Sequence, residues 1–231
     1  PWGIKKATKR EVLARGVEGI LGSPDTYINV LKADTWGRIS DDQEEKRAKV
    51  TAWCEEFIDL YRNIDYNGVS AMQDHVPTVF VMIGASGTGK STFFANLSGE
   101  YEHFSLDNLR HEWYDLDDYR VAFEKACKDK KFNSKANKVY TDMLATGKNV
   151  VVDNVNGSKK RRAHHLNMAK TKGYKTIAVL MPVALNTIIE RQHTRADKFV
   201  PDDAVTRQYM SLSMPSYGEF DDIYVVDSNL R

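Results

Sequence analysis

The residues best suited to chemistry lie in one run, VMIGASGTGKSTFFANLSGEYEHFSLDNLR, from Val81 to Arg110. Its first half contains GASGTGKS, Gly84 to Ser91, which matches G-x-x-x-x-G-K-[ST] in full. Gly84, Gly87 and Gly89 permit a tight backbone turn. Successive N–H groups, those of Ala85, Ser86, Thr88 and Thr92 included, can then face the phosphates of a nucleotide. Lys90 is expected to reach the β and γ phosphates of ATP, and the Ser91 hydroxyl to ligate Mg²⁺. In the second half, HFSLDNLR reads as a short strand ending in Asp107, with Arg110 on the following helical turn. A carboxylate there lies across a crevice from the cradle and can accept the proton of an incoming hydroxyl. Arg110 can grip a phosphate of the acceptor with two hydrogen bonds. The plainer alternatives are that Asp107 caps a helix starting at Asn108, and that Arg110 is a solvated surface residue.

Other candidates follow downstream. Asp153 ends the run NVVVD, a usual place for a carboxylate that helps hold Mg²⁺ through water; it could equally form an Asx turn within DNVNG. Arg191 and Arg195 stand four apart and share a helix face, and with Lys198 they suggest a positive lid over the phosphates. Cations at a helix C-terminus would look the same. The run KKRRAHH, Lys159 to His165, is a dense basic patch that either touches a nucleic-acid backbone or forms an exposed helix face. His164 and His165 have no acidic or Cys partner at metal-ligand spacing.

These residues need a frame. After residue 77 short β-branched runs, TVFVMIG, HFSL, NVVVDN, KTIAVLMPV and DIYVVD, alternate with helical stretches near 90–98, 108–128, 134–146, 158–172, 184–193 and 202–212. The alternation predicts an α/β domain with a five-stranded parallel sheet flanked by helices. Residues 65–77 gather Gly, Ser, Asn and Pro, which sets a boundary between an N-terminal helical extension, 1–76, and a nucleotide-binding domain, 77–231. In the extension, Val12, Leu13, Val17, Ile20 and Leu21 share one face, and Ser23 with Pro24 marks another helix start. A longer amphipathic helix carries Val50, Trp53, Cys54, Phe57, Leu60 and Tyr61, read as core.

The order of motifs resembles the kinase domain of bacteriophage-type polynucleotide 5′-hydroxyl kinases. The resemblance covers about 78–215: the P-loop, D-x-x-R at Asp107 and Arg110, VVVDNVNGSKKRR, and ERQHTRADKFVPDDAVTRQY. It implies a Mg²⁺-dependent kinase that moves the γ-phosphate of ATP to a nucleic-acid hydroxyl, most simply a polynucleotide 5′-hydroxyl. In that reading Asp107 is the general base, Lys90 and Arg195 offset charge on the transferring group, and Arg191 supports the nucleotide. Arg110, Asn154 and Asn156 then meet the acceptor, DNA or RNA. No D-x-D-x-T phosphatase motif occurs, so kinase activity alone is expected. Three alternatives stay open: a phage kinase acting on the hydroxymethyl group of a modified pyrimidine, a small-molecule or nucleoside kinase, and a nucleotide-dependent switch.

Composition sets limits. Lys and Arg number 33 against 32 Asp and Glu, so any argument for a polyanionic partner must come from local clusters. The two cysteines, Cys54 and Cys127, are far apart, which suggests a reducing, intracellular (cytoplasmic) setting. No apolar run is long enough for a bilayer, and PWGIKKATKREV lacks the apolar core of a signal peptide, so no membrane partner is expected.

Overall fold

The computed structural model describes residues 3–6, 29, 32–33, 37, 42–62, 76–96, 100–114, 118–195 and 200–227. At its centre lies β2 (Thr78–Ile83), TVFVMI, with all six residues buried. A run of β-branched and apolar side chains with no polar alternation can satisfy itself only as a strand covered on both faces. β2 is flanked by β4 (Asn149–Val152) and β5 (Lys175–Leu180), both parallel to it. β3 (Tyr101–Phe104) adds outside β4, and β6 (Asp222–Asp227) outside β5, again parallel. The five-stranded parallel sheet expected from the sequence is therefore present. One strand was not expected. Gly3–Lys6, β1, pairs antiparallel with β6, giving the order β1-β6-β5-β2-β4-β3.

The helices with bounds among the described residues are α1 (Gln43–Arg62), α2 (Lys90–Ala95), α3 (Leu106–Tyr114), α4 (Tyr119–Lys128), α5 (Phe132–Ala145), α6 (Lys159–Thr171), α7 (Leu185–His193) and α8 (Asp202–Met210). The stretch read as one helix over 108–128 is two. Asp118 caps the second, accepting hydrogen bonds from the Arg120 and Val121 N–H groups. The helical reading over residues 9–21, that over 22–31 apart from Asn29, which is helical, the 65–75 linker, Lys198, and the packing of Trp53, Phe57 and Tyr61 lie outside the described residues.

Strand side chains alternate between two cores. Val79, Val81 and Ile83 join Phe104, Tyr140, Val150, Val152 and Leu166 on one face. Phe80 and Met82 join Phe93, Val151, Ile177 and Val179 on the other. Each such side chain contributes about 1.5–3 kcal/mol through removal from water. That rigidity matters at one end of the sheet. The chain leaves β2 towards β3 but leaves β4 towards β5, so their connections diverge and open a crevice at the strands' C-terminal ends.

Candidate active site

The loop after β2 wraps as its glycines require. Gly87 and Gly89 have φ of +92° and +95°, backbone that L side chains rarely adopt. Gly84 is constrained differently: a Cβ there would stand 2.6 Å from Thr88 Oγ1. Its N–H donates to the Val155 carbonyl, tying the loop to the end of β4. Lys90 is buried and its ammonium donates to the carbonyls of Gly84 (2.9 Å) and Ala85 (2.8 Å). From outside the loop, Gln208 Oε1 on α8 accepts the Ser86 N–H at 2.9 Å.

Ser91 donates to Asp153 Oδ2 at 2.8 Å, and His103 Nε2 lies 3.3 Å from the same oxygen. Burial by itself would raise the Asp153 carboxyl. Hydrogen bonds from His103 and Ser91, together with the Lys90 charge, outweigh it and hold the carboxyl below its ordinary value. A buried, charged carboxylate and an adjoining exposed hydroxyl form the hard-oxygen donor set that Mg²⁺ takes.

Asp107 sits elsewhere than at a strand end. β3 stops at Phe104, and Asp107 occupies the first turn of α3. It is not the cap; the Leu106 N–H goes to Asn154 Oδ1 and the Asn108 N–H to Ser105 Oγ. The Asp107 carboxylate instead receives Arg110, in an ion pair one turn along, and the Tyr119 hydroxyl at 3.0 Å. Arg110 is held by more than charge, since its guanidinium lies 5.0 Å from the Phe123 ring and 5.5 Å from the Phe132 ring.

These pieces share one cleft of about 750 Å³. Ser86, Gly87, Gly89, Lys90, Ser91 and Thr92 of the loop line it together with Asp107 and Asn108 of α3, Asp153 and Asn154 after β4, and Arg191 and Arg195 at the end of α7. Ala85 and Thr88 are buried beneath the loop. Arg110 stands beside the cleft through Asp107 rather than lining it.

A comparison with family models matches residues 79–215 to the AAA domain. The chain belongs to that family. This AAA-domain chain is 31% identical over 140 residues to a protein of Autographa californica nuclear polyhedrosis virus described as a bifunctional polynucleotide kinase/RNA ligase. The match takes in 57% of this chain but only 20% of that relative. Among solved structures, a chain of the Pnkp1/Rnl/Hen1 RNA repair complex aligns at 18% identity and TM-score 0.48, covering 63% of this chain and 47% of that one. A gluconokinase from Sinorhizobium meliloti aligns at 19% identity and TM-score 0.45, covering 68% and 86%.

One expected acceptor residue of the AAA-domain chain is corrected. Asn156 is buried at φ +48°, and its Nδ2 donates to the carbonyls of Met82 and Val152. Two strands need those donors where the turn leaves β4, so the amide is structural. Asn154 differs: it lines the cleft, and its buried Nδ2 makes no hydrogen bond among the described residues. The basic run KKRRAHH also splits. Lys159, Lys160, Arg161 and His164 are exposed, whereas Arg162 is fully buried. Arg162 forms a bidentate pair with Glu219 at 2.8 Å and clamps the carbonyls of Asn156, Gly157 and Ser213. Sequence reasoning missed Tyr119, His103 and Gln208 entirely. His103 and Gln208 lie inside quoted motif stretches but at positions given no role, Tyr119 lies in none, and only the fold brings the three to the cradle and the carboxylates.

No helix among the described residues is long and apolar enough to cross a membrane.

Proposed function

We propose that this chain is an ATP-dependent kinase that transfers the γ-phosphate to a hydroxyl of a nucleic acid, the 5′-hydroxyl of a polynucleotide in the simplest case. The observation that carries the reading is Asp107 lining the same cleft as Lys90, Ser91 and Arg195. A carboxylate lining the same cleft as a phosphate cradle suits an alcohol acceptor, since the alcohol's proton needs a base and its oxygen a path to phosphorus. Asp107 takes the proton from the acceptor hydroxyl as the oxygen bonds to the γ-phosphorus and ADP departs with the bridging oxygen. Lys90 leaves its two carbonyls for the phosphates, and Arg195 meets charge on the transferring group from the far side. Arg191 supports the nucleotide.

Ser91 and Asp153 are the residues that would hold Mg²⁺, which when bound neutralises charge on the β and γ oxygens. Arg110, already beside the base, would take an acceptor phosphate, and the Asn154 Nδ2 would donate to an acceptor oxygen. The matched viral relative, described as a polynucleotide kinase/RNA ligase, supports a nucleic-acid acceptor. ATP use implies an intracellular site of action. The kinase unit in this reading is residues 77–231, with the N-terminal residues attached to its edge strand.

The test is labelled phosphate transfer from ATP to three acceptors: 5′-hydroxyl DNA and RNA oligonucleotides, end-blocked DNA containing hydroxymethylpyrimidines, and free nucleosides or sugars. Label on the unblocked 5′ ends is expected. Label confined to the blocked DNA would move the acceptor to a base, and label confined to small molecules would remove nucleic acid from the reading.

A further inference from the structure

A long run of unbalanced charge lies where α4 turns into α5. Residues 125–138 carry Lys125, Lys128, Lys130, Lys131, Lys135 and Lys138 against the single acid Asp129, in a chain whose totals are 33 and 32. All six lysines are exposed. Lys135 pairs with Asp129 at 3.1 Å; the other five make no ion pair among the described residues. A solvated helix face accounts poorly for this pattern. α5 begins with Lys131 at its N-cap, has no side-chain cap bond, and has no acid in its first turn. Cations there oppose the helix dipole, and Ser or Asp would serve the fold better.

The elbow also has a fixed relation to the cleft. α3 carries Asp107 on the cleft wall at its start. At its end, the Tyr114 hydroxyl donates to Asp129 Oδ2 at 3.0 Å, and Trp113 packs on Phe132. Seven residues of helix separate Asp107 from Tyr114, about 10 Å along the axis. On the outer side, His164 Nε2 meets Asn137 Oδ1 at 2.9 Å. That contact joins α5 to the exposed Lys160 and Arg161 of α6.

We propose that the α4–α5 elbow, continued by α6, is a track for the phosphodiester backbone of the acceptor strand, running away from the reacting hydroxyl. This rests on the nucleic-acid kinase reading above. A strand rises roughly 3.4 Å per nucleotide, so phosphates about three nucleotides from the end reach the elbow when the terminal hydroxyl meets Asp107. The occupant is a nucleic-acid strand because the charge repeats over several turns and begins at the far end of the helix that carries Asp107. The consequence is specificity for length: a polynucleotide engages the track and a mononucleotide cannot.

The experiment compares Lys128→Gln/Lys130→Gln/Lys131→Gln/Lys138→Gln with wild type by fluorescence anisotropy, using a labelled 20-nucleotide single strand with a free 5′-hydroxyl across a salt series. Lys46→Gln/Lys49→Gln/Lys148→Gln/Lys172→Gln, exposed sites elsewhere, controls for net charge. Four lost phosphate contacts should lower the slope of log affinity against log salt by about 3, and weaken binding on the order of tenfold or more near 0.1 M salt. The control should keep the wild-type slope, and kcat on a short acceptor should be unchanged in both. An unaltered slope in the elbow variant, an equal change in the control, or no wild-type binding overturns the track. The kinase reading fails separately, if the strand binds with the expected slope but receives no phosphate.

Discussion

The Tyr119 hydroxyl donates a hydrogen bond to Asp107 Oδ1 at 3.0 Å, joining the start of α4 to the carboxylate on the cleft wall. Burial, then the Asp107 charge, pushes the phenol well above its ordinary value, so it stays a donor throughout the working range. A donor of this kind favours the charged carboxylate. Tyr119→Phe should therefore let Asp107 take up a proton more readily, and the acid limb of the kcat/KM profile should move to higher pH. Arg110, His111, Lys90 and Arg195 also face this space and stay in place. A uniform drop in rate with an unmoved profile would mean that Tyr119 supports only the packing.

Asp107→Asn keeps the shape and removes the base. Turnover should fall on the order of a hundredfold or more while ATP affinity stays near wild type. Arg110→Ala should weaken acceptor binding and spare ATP. Turnover within a few-fold of wild type in Asp107→Asn would end its assignment as base.

Two glycines with positive φ separate strain from function. A Cβ at Gly87, φ +92°, would meet Gln192 Nε2 at 2.6 Å and Ile188 Cγ2 at 3.0 Å. Gly147, φ +71°, has open space around it. Gly87→Ala should weaken nucleotide binding at least tenfold as the cradle shifts. Gly147→Ala should cost only about 1–2 kcal/mol of stability and leave nucleotide binding alone. A fluorescent ATP analogue and urea melts read both; equal nucleotide affinities would show that the cradle tolerates the shift.

The buried Arg162–Glu219 pair spans α6 and the segment before β6. Arg162→Met leaves Glu219 buried without its partner, and should cost about 3–5 kcal/mol in urea unfolding. Arg162→Met with Glu219→Met should lose less than the two single changes added together, because the unpaired charge is gone. A loss under about 1 kcal/mol in the single variant would mean that water reaches the pair.

His165 packs against Phe104 and Tyr140, and burial, with a smaller contribution from His164, lowers it to about 4 from 6.5. Between those values the unfolded chain binds the extra proton. Stability from this group is thus complete above about pH 6.5 and declines as pH falls towards 4, by on the order of 3 kcal/mol. His165→Leu should flatten that stretch of the stability profile. Parallel wild-type and variant curves would show that the ring is solvated.

Local reading succeeded where local physics decides. A strand, a loop whose glycines must turn, and Lys90–Ser91 identify a phosphate cradle in any fold, because backbone N–H groups bind the anion. Alternating β-branched and helical runs likewise implied the parallel sheet. Two kinds of residue escaped. Arg162 and Asn156 carry the composition of surface chemistry but are buried, since the turn after β4 leaves carbonyls that need their donors. β1 joins the sheet from residues 3–6, more than two hundred positions from its partner β6, a pairing with no local signature.

By itself, then, the amino-acid order determined the nucleotide cradle, the α/β frame and the candidate pair Asp107 and Arg110, all set by spacing along neighbouring residues. Tertiary structure alone decided that Asp107 lines one cleft with Lys90, that Tyr119 and Arg110 converge on it, and that lysines at 125–138 stand beyond the end of its helix. Those relations depend on how α3, α4 and α5 pack beside the sheet, a balance of buried surface and hydrogen bonding over distant segments that no short run of residues encodes.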